Sequence, residues 1–270
     1  MTFASRLFPL LRERGPLCVG IDPHVPLLER WGLSVDGAGV RELGIRVVEA
    51  AAGRVAVVKP QVAFFERFGA AGFAALEDTI RAARAAGLLV VADGKRGDIG
   101  STVDAYGDAW LEPGSPLEAD AMTAYAYQGL GSLDGVLDRA AAWGKGVIVV
   151  TAASNPEAAE TQGARRADGR TVARALVDDL RALGGTGGAV LGATVDLAAT
   201  GIDLDALDGL PILAPGYGAQ GATAADLPRV FGPAAPQVMA SYSRSILGAG
   251  PDGIADAVER TQDELRESLR

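Results

Sequence analysis

Short apolar runs alternate with helix-length segments along the whole chain, and this alternation restricts the fold more than any other feature. The segments between the runs are rich in Ala, Leu and Arg. Such alternation is typical of βα units that build a parallel sheet. The eight runs are LCVGI (17–21), VAVVKP (55–60), LLVVA (88–92), DAMTA (120–124), GVIVVT (146–151), AVLGATV (189–195), PILAP (211–215) and QVMAS (237–241).

The segment GFAALEDTIRAARAAG (72–87) illustrates the helical pattern between two of these runs. Phe73, Leu76 and Ile80 recur at helical spacing, while charged residues occupy the other face. Gly87 follows as a plausible C-terminal cap, since glycine readily adopts the left-handed conformation that ends many helices. The spacing therefore predicts an amphipathic helix that ends near Gly87.

Neither a shift in composition nor a Ser- or Pro-rich linker divides the 270 residues, so we expect one domain spanning 1–270. A (β/α)₈ TIM barrel typically has about 250 residues, and eight strand candidates match it. We therefore predict an α/β protein with this barrel fold; an open, doubly wound sheet is the alternative. In either fold, functional groups lie just after the carboxyl ends of the strands.

The charge and the cysteine count exclude several classes of protein. The formal net charge of −9 has the wrong sign for a general binder of nucleic acid or of anionic membranes. One cysteine and one histidine cannot build a disulfide framework, a zinc cluster or a His-rich metal site. No run approaches the roughly 18 apolar residues of a membrane span, and residues 1–15 meet charges too early for a secretory leader. We expect a cytoplasmic protein.

Charged residues follow the third run directly, in the sequence DGKRGD (93–98). Period-two alternation places Asp93 and Lys95 on the same face of an extended chain. Charges at the end of a buried strand are costly unless they pair with one another. We therefore interpret this segment as functional; a surface loop with solvated charges is the alternative.

Two further charged residues come from the first and second runs. Lys59 follows VAVV, and Asp22 follows LCVGI directly. Taken alone, each is weak evidence, because a lysine at a strand end is more often a surface residue with a solvated charge. In a barrel, however, the first three strands would deliver Asp22, Lys59 and the Asp-x-Lys pair to one end.

The segment PGYGAQG (215–221) has the spacing G-x-G-x-x-G after a strand. A dinucleotide-binding interpretation fails, because no acidic residue follows about 20 positions later and too little chain remains for a Rossmann sheet. A phosphate-binding loop fits better, because the loops after strands seven and eight commonly bind phosphate in barrels. Ser243 and Arg244 after the eighth run would complete it. A Gly-rich turn beside a surface arginine is the alternative.

With these charged and Gly-rich segments, the sequence resembles the orotidine 5′-phosphate decarboxylases, specifically the longer bacterial branch (type 2). The D-x-K-x-x-D signature with the following Ile and Thr is the most specific part, and the resemblance spans nearly the whole chain. The motifs that carry it are GIDPH (20–24), KPQVAFFERFG (59–69), DGKRGDIGST (93–102), SNP (154–156), APGYGAQG (214–221) and SRSI (243–246).

The resemblance implies a homodimeric (β/α)₈ barrel that uses neither a cofactor nor a metal. It would convert orotidine 5′-monophosphate to uridine 5′-monophosphate and carbon dioxide in de novo pyrimidine biosynthesis. Its partners would be this small nucleotide and a second copy of the chain, with no nucleic acid or membrane. By the same resemblance, Lys95 would donate a proton to C6 of the pyrimidine, and Asp93 would lie beside the departing carboxylate. Lys59 would complete an alternating charge network.

The resemblance also implies residues that bind the substrate. Asp98 would reach across the dimer interface into the partner's site, with Thr102 nearby. Asp22 would bond a ribose hydroxyl, and Ser154 would meet the edge of the pyrimidine. Further candidates are Gln220, bridging base and phosphate from the closing loop, and Ser243 and Arg244 at the phosphate. The sequence departs from the family at Glu157, where glycine often follows SNP, and the role of Tyr217 is left open.

Three other functions match the sequence less well. A related barrel with the same signature could decarboxylate a sugar phosphate with magnesium, but a metal-binding carboxylate is missing after Lys59-Pro60, where Gln61 stands. A Schiff-base aldolase needs a neutral lysine amine, which neighbouring carboxylates disfavour. A non-catalytic nucleotide-binding barrel would not need the complete charge network.

Overall fold

Eight parallel strands form a closed barrel in the computed structural model, which describes residues 1–270. The strands are β1 (Leu17–Ile21), β2 (Val57–Pro60), β3 (Leu89–Arg96), β4 (Ala121–Ala124), β5 (Gly146–Ala152), β6 (Gly187–Leu191), β7 (Ile212–Pro215) and β8 (Val238–Tyr242). Each strand pairs with the next in sequence, and β8 pairs with β1 in a register that sets Cys18 opposite Ser241. The predicted barrel is confirmed, and the open-sheet alternative is wrong.

Helices cover the outside of the barrel and connect the strands. They are α1 (Phe3–Arg14), α2 (Val25–Arg30), α3 (Gly37–Ala51), α4 (Val62–Glu66), α5 (Gly69–Ala85), α6 (Gly100–Leu111), α7 (Asp134–Trp143), α8 (Ala158–Gln162), α9 (Val172–Arg181), α10 (Asp226–Phe231), α11 (Arg244–Leu247) and α12 (Gly250–Ser268). Short 3₁₀ turns span Leu130–Leu133, Leu204–Leu207 and Gly232–Gln237. None of these helices combines the length and the apolar character that a membrane span requires.

The amphipathic helix predicted between the second and third runs is α5. Leu76 and Ile80 are buried on its inner face. Gly87 lies just past its end with φ +71°, as expected for a residue that ends a helix in the left-handed conformation.

Two predicted strand ends are wrong by four residues, whereas the other boundaries agree to within two. The sixth strand ends at Leu191 rather than at residue 195, because the chain turns at Gly192, whose carbonyl accepts from the Val195 amide. The third strand continues through the charged segment to Arg96. There it pairs again with β4 after a shift of register. Apolar composition alone does not mark either boundary, because a strand ends where its ladder of hydrogen bonds ends.

The apolar core has two parts. One lies between the outer face of the barrel and the helices, and the other fills the barrel interior. Phe3, Leu7 and Leu11 of α1 belong to the interior part, so α1 covers the amino-terminal end of the barrel. This packing leaves the carboxyl ends of the strands as the open end.

Candidate active site

A cavity of about 260 Å³ lies at the carboxyl ends of the strands. Seven of the ten predicted site residues line it, namely Asp22, Lys59, Asp93, Lys95, Gln220, Ser243 and Arg244. The other lining residues are Gln61, Val190, Leu213, Pro215, Gly216, Tyr217, Ala219 and Ser241. The closed barrel therefore brings together residues from the beginning, the middle and the end of the chain.

The carboxylate of Asp93 is the centre of a buried hydrogen-bond network. Its Oδ2 atom accepts from Lys59 Nζ and from Gln61 Nε2, both at 2.9 Å. Its Oδ1 atom accepts from Lys95 Nζ at 2.6 Å and from Thr123 Oγ1 at 2.9 Å. A carboxylate offers about four lone-pair sites, and all of them are used. Asp93 is therefore held in one orientation without any contribution from a ligand.

The charges of this network stabilise one another. Burial by itself would raise the pKa of Asp93, but Lys59 and Lys95 hold that pKa well below its usual range. Burial would lower the pKa of Lys59, but Asp93 and Asp22 raise it above its usual range. Asp93 is therefore an anion and Lys59 a cation at neutral pH, although both side chains are less than one-tenth exposed.

Lys95 has an unusual backbone. It is the one residue other than glycine with a positive φ, at +48°, a conformation that side chains with a Cβ rarely adopt. Its amide donates to Thr123 Oγ1 at 2.9 Å, and its ammonium, which carries three donors, uses one on Asp93. The side chain is about one-third exposed and lines the cavity. Its remaining donors are available to a ligand.

Three buried polar atoms of cavity-lining residues have no hydrogen-bond partner in the chain. They are Asp22 Oδ1, Tyr217 Oη and Ser243 Oγ. Asp22 Oδ1 lies 4.0 Å from Lys59 Nζ, which is too far for a hydrogen bond. A buried polar group without a partner costs about 1–3 kcal/mol. Such atoms are natural contacts for a polar ligand.

The Gly-rich loop and the end of β8 lie against each other. A Cβ atom on Gly218 would lie 2.5 Å from Ser245 Oγ, and the φ of Gly218 is +69°, so both the space and the backbone favour glycine there. The exposed guanidinium of Arg244 makes no hydrogen bond or ion pair within the chain. The predicted phosphate loop and its arginine therefore share one side of the cavity, with a free positive charge in an acidic protein.

Three predicted site residues lie outside the cavity wall. Asp98 follows β3 and accepts from the amide of Ile99 at 2.9 Å. Thr102 is exposed on α6, and Ser154 is exposed after β5. Glu157 accepts from Asn155 Nδ2 at 2.9 Å, so the residue that departs from the family pattern contacts the asparagine of SNP.

Three residues of the site were not predicted, and a fourth, Tyr217, was named without a role. Gln61 and Thr123 bind Asp93 directly, and Ser241 lines the cavity from β8. Tyr217 stacks on Tyr242 with ring centroids 5.1 Å apart, and burial raises its pKa above the usual range. Gln61 could have been found from its place at the end of the second run. A polar residue inside the apolar fourth run was the only signal for Thr123.

Comparisons with known proteins agree with this geometry. The model of the orotidine 5′-phosphate decarboxylase / HUMPS family matches residues 15–258. A Salinispora tropica protein named orotidine 5′-phosphate decarboxylase is 53% identical over 99% of this chain and 98% of its own length.

Two solved structures extend the comparison to the whole fold. A Streptomyces avermitilis structure assigned to the same enzyme matches with a TM-score of 0.94 and 49% identity, covering 99% of this chain and 96% of its own. The Leishmania donovani OMP decarboxylase matches with a TM-score of 0.81 and 29% identity, covering 99% of both chains. The family match spans the entire barrel, including every residue of the charge network, and the chain therefore belongs to the orotidine 5′-phosphate decarboxylase / HUMPS family.

Proposed function

We propose that this protein converts orotidine 5′-monophosphate to uridine 5′-monophosphate and carbon dioxide in pyrimidine biosynthesis, without a cofactor or a metal. The names of its relatives support the substrate. The observation that carries the proposal is the buried network of Lys59, Asp93 and Lys95 beside a cavity with unpaired polar atoms. In this network an ammonium with free donors is held at a fixed place.

The network suits a reaction that leaves negative charge on carbon. When the bond between C6 and the carboxylate breaks, the electron pair stays on C6, and a fixed cation stabilises it. At about 4 Å and an effective dielectric of about 20, the attraction between two unit charges is worth roughly 4 kcal/mol. Lys95 then transfers a proton from Nζ to C6 and takes another from solvent. Asp93 lies beside the departing carboxylate in this scheme.

The unpaired atoms of the cavity supply contacts for the rest of the nucleotide. Asp22 Oδ1 accepts a hydrogen bond from a ribose hydroxyl, which gives this buried oxygen the partner that the chain itself does not supply. Gln220 bridges the base and the phosphate from the Gly-rich loop. Ser243 and Arg244 bind the phosphate, as the free guanidinium and the unpaired Ser243 Oγ suggest. Ser154 meets the edge of the pyrimidine when a ligand fills the open end.

The assembly that we propose is a homodimer with shared sites. Asp98 enters the partner's cavity in this arrangement, with Thr102 near it, and this accounts for their place outside the cavity of their own chain. Ile99, Tyr125 and Tyr127 follow β3 and β4 with exposed apolar side chains, as an interface on this rim requires. The dimer would cover them.

A second candidate reaction is decarboxylation of a sugar phosphate assisted by magnesium. The same barrel and signature could serve it, but it needs a carboxylate for the metal near the end of β2. Gln61 occupies that place and donates to Asp93. The cofactor-free reaction is therefore the better match to these side chains.

The test is a spectroscopic assay with the purified protein. Ultraviolet absorbance would follow the loss of orotidine 5′-monophosphate in excess EDTA, with wild type beside Lys95→Ala. We expect rapid loss with wild type and almost none with Lys95→Ala, because the variant has no cation or proton donor at C6. Arg81→Ala is the control, since Arg81 is exposed on the outer face of α5.

The outcomes separate the alternatives. Activity lost in EDTA and restored by magnesium would favour the metal-assisted relative. Trapping of a substrate on Lys95 by borohydride would favour an aldolase. A folded wild type that binds uridine 5′-monophosphate but leaves orotidine 5′-monophosphate unchanged would make this a nucleotide-binding barrel.

A further inference from the structure

The ladder between β3 and β4 is interrupted beside the charge network. Ala92 pairs with Met122 and Arg96 pairs with Ala124, so four steps along β3 are set against two along β4. Strands that carry extra residues bend and lose ladder hydrogen bonds at the bulge. Thr123 is the single β4 residue opposite this irregular stretch, which contains Asp93 and Lys95.

The side chain of Thr123 replaces the missing ladder contact. Its hydroxyl accepts from the Lys95 amide and donates to Asp93 Oδ1, both at 2.9 Å. Thr123 is fully buried, so no water competes for these bonds. One hydroxyl therefore binds the backbone of the lysine and the carboxylate that holds its ammonium.

This double contact acts on a strained residue. A residue other than glycine persists in the left-handed region only when its surroundings hold it there. In an ordinary extended conformation, the Lys95 side chain would project from the backbone in a different direction relative to the Asp93 carboxylate. The direction of its ammonium into the cavity thus depends on what fixes the backbone.

We propose that Thr123 is a positioning residue, whose hydroxyl fixes the left-handed backbone of Lys95 and the orientation of Asp93 so that the Lys95 ammonium faces the substrate. This rests on the proposed decarboxylation. Thr123 does not line the cavity, so loss of its hydroxyl should affect the chemical step and leave binding nearly intact.

Thr123→Val tests the proposal, because valine keeps the shape and removes the hydroxyl. We expect kcat for orotidine 5′-monophosphate to fall about 10- to 100-fold, since small misplacements of a reacting group cost that much. KM and the affinity for uridine 5′-monophosphate should stay within about threefold. Thr123→Ser retains the hydroxyl and should restore kcat to within about threefold of wild type.

Thr79→Val is the matched control. Thr79 is equally buried, but its hydroxyl donates only to the Ala75 carbonyl within α5, so kcat per folded protein should be unchanged. Thr123→Ala replaces Thr123→Val if the latter does not fold, with the same expected results. Unchanged kcat in the variant without the hydroxyl, or an equal loss in Thr123→Ser, would overturn the proposal. An inactive wild type would instead overturn the proposed function.

Discussion

At the scale of single residues, the site combines a residue with a strained backbone, Lys95, and a residue whose acceptor sites are all occupied, Asp93. The left-handed backbone of Lys95 costs of the order of 1–3 kcal/mol. The neighbouring carboxylate of Asp93 accepts four hydrogen bonds. Because Asp93 has no free acceptor site, it serves to hold the two lysines. We expect the ligand contacts at the other cavity-lining candidates, which are Asp22, Lys95, Gln220, Ser243 and Arg244.

Arg244 allows a prediction at this scale. Arg244→Ala should raise KM strongly and lower kcat/KM by about 2–3 kcal/mol, roughly 30- to 150-fold, the range of a hydrogen bond to a charged group. The loss follows because the guanidinium has no other partner and is free to bind the phosphate. Steady-state kinetics with orotidine 5′-monophosphate measure it.

The control for Arg244→Ala is the substrate without its phosphate. Turnover of the nucleoside orotidine should be slow in wild type and nearly as slow in the variant. Without the phosphate, its binding energy lowers the barrier in neither protein. Kinetics of the nucleotide that remain at the wild-type level would remove Arg244 from the site.

At the scale of secondary-structure elements, ion pairs lie at both ends of the β3–β4 pair. At the carboxyl end, Arg96 pairs with Glu66 of α4 and lies over the rings of Tyr106 and Trp110. At the amino end, Glu118 lies just before β4 and accepts from Lys145 Nζ at 2.8 Å and from Arg84 Nη2 at 2.6 Å. The ion pair of Arg96 borders the site, and the ion pairs of Glu118 are remote from it.

Glu118 allows a prediction about stability and pH. Glu118→Gln should lower the free energy of unfolding by about 2–3 kcal/mol at pH 7, because Lys145 is left buried without its counter-ion. Burial would raise the pKa of Glu118, but the Gly114 amide, Lys145 and Arg84 lower it. A carboxylate with a lowered folded pKa contributes stability above its unfolded pKa of about 4.3, and the contribution disappears as pH falls through the folded value.

Urea denaturation at several pH values measures this effect. The difference between wild type and Glu118→Gln should be largest near neutral pH and shrink below about pH 4, while kcat of the folded variant stays at the wild-type level. Glu112→Gln, at an exposed residue nearby, is the control. A difference in stability that does not change with pH would contradict the assignment to the carboxylate.

At the scale of the whole molecule, closure of the barrel assembles the site. The pairing of β8 with β1 brings Ser243 and Arg244 next to Asp22, although they lie at opposite ends of the chain. Asp98 and Thr102 remain outside the cavity of their own chain, on the rim with exposed Ile99 and Tyr127. In the proposed dimer, a second copy of the chain would supply Asp98 and Thr102 to this cavity.

Mixed dimers test the shared site. Lys95→Ala and Asp98→Ala should each be nearly inactive alone, and mixing them should restore activity. In a mixed dimer, one site has an intact Lys95 and receives an intact Asp98 from the partner. With random exchange of subunits in a symmetric dimer, about a quarter of the wild-type activity is expected.

The same experiment distinguishes the alternatives. Sites built within one chain would give no recovery on mixing, because every site would lack one of the two residues. Light scattering that finds only monomers at the assay concentration would also exclude the shared site.

The sequence alone determined the number and order of the strands and the main charges of the site. Apolar runs and helical spacing are local properties of the chain, and the eight runs became eight strands. Asp22, Lys59, Asp93 and Lys95 could be predicted because in parallel α/β folds the functional groups follow strand ends. Arg244 could be predicted because phosphate commonly binds after strands seven and eight.

The side chains that complete the network depend on the packing of the whole barrel. Gln61 and Thr123 bind Asp93 because neighbouring strands pair in one register, and the left-handed backbone of Lys95 lies at the shift of register between β3 and β4. The closed barrel likewise places Asp98, Thr102 and Ser154 outside the cavity wall, which their positions in the sequence did not indicate. A hydrogen bond depends on distances of a few tenths of an ångström between atoms far apart in sequence, and such distances are fixed only when the whole barrel has packed.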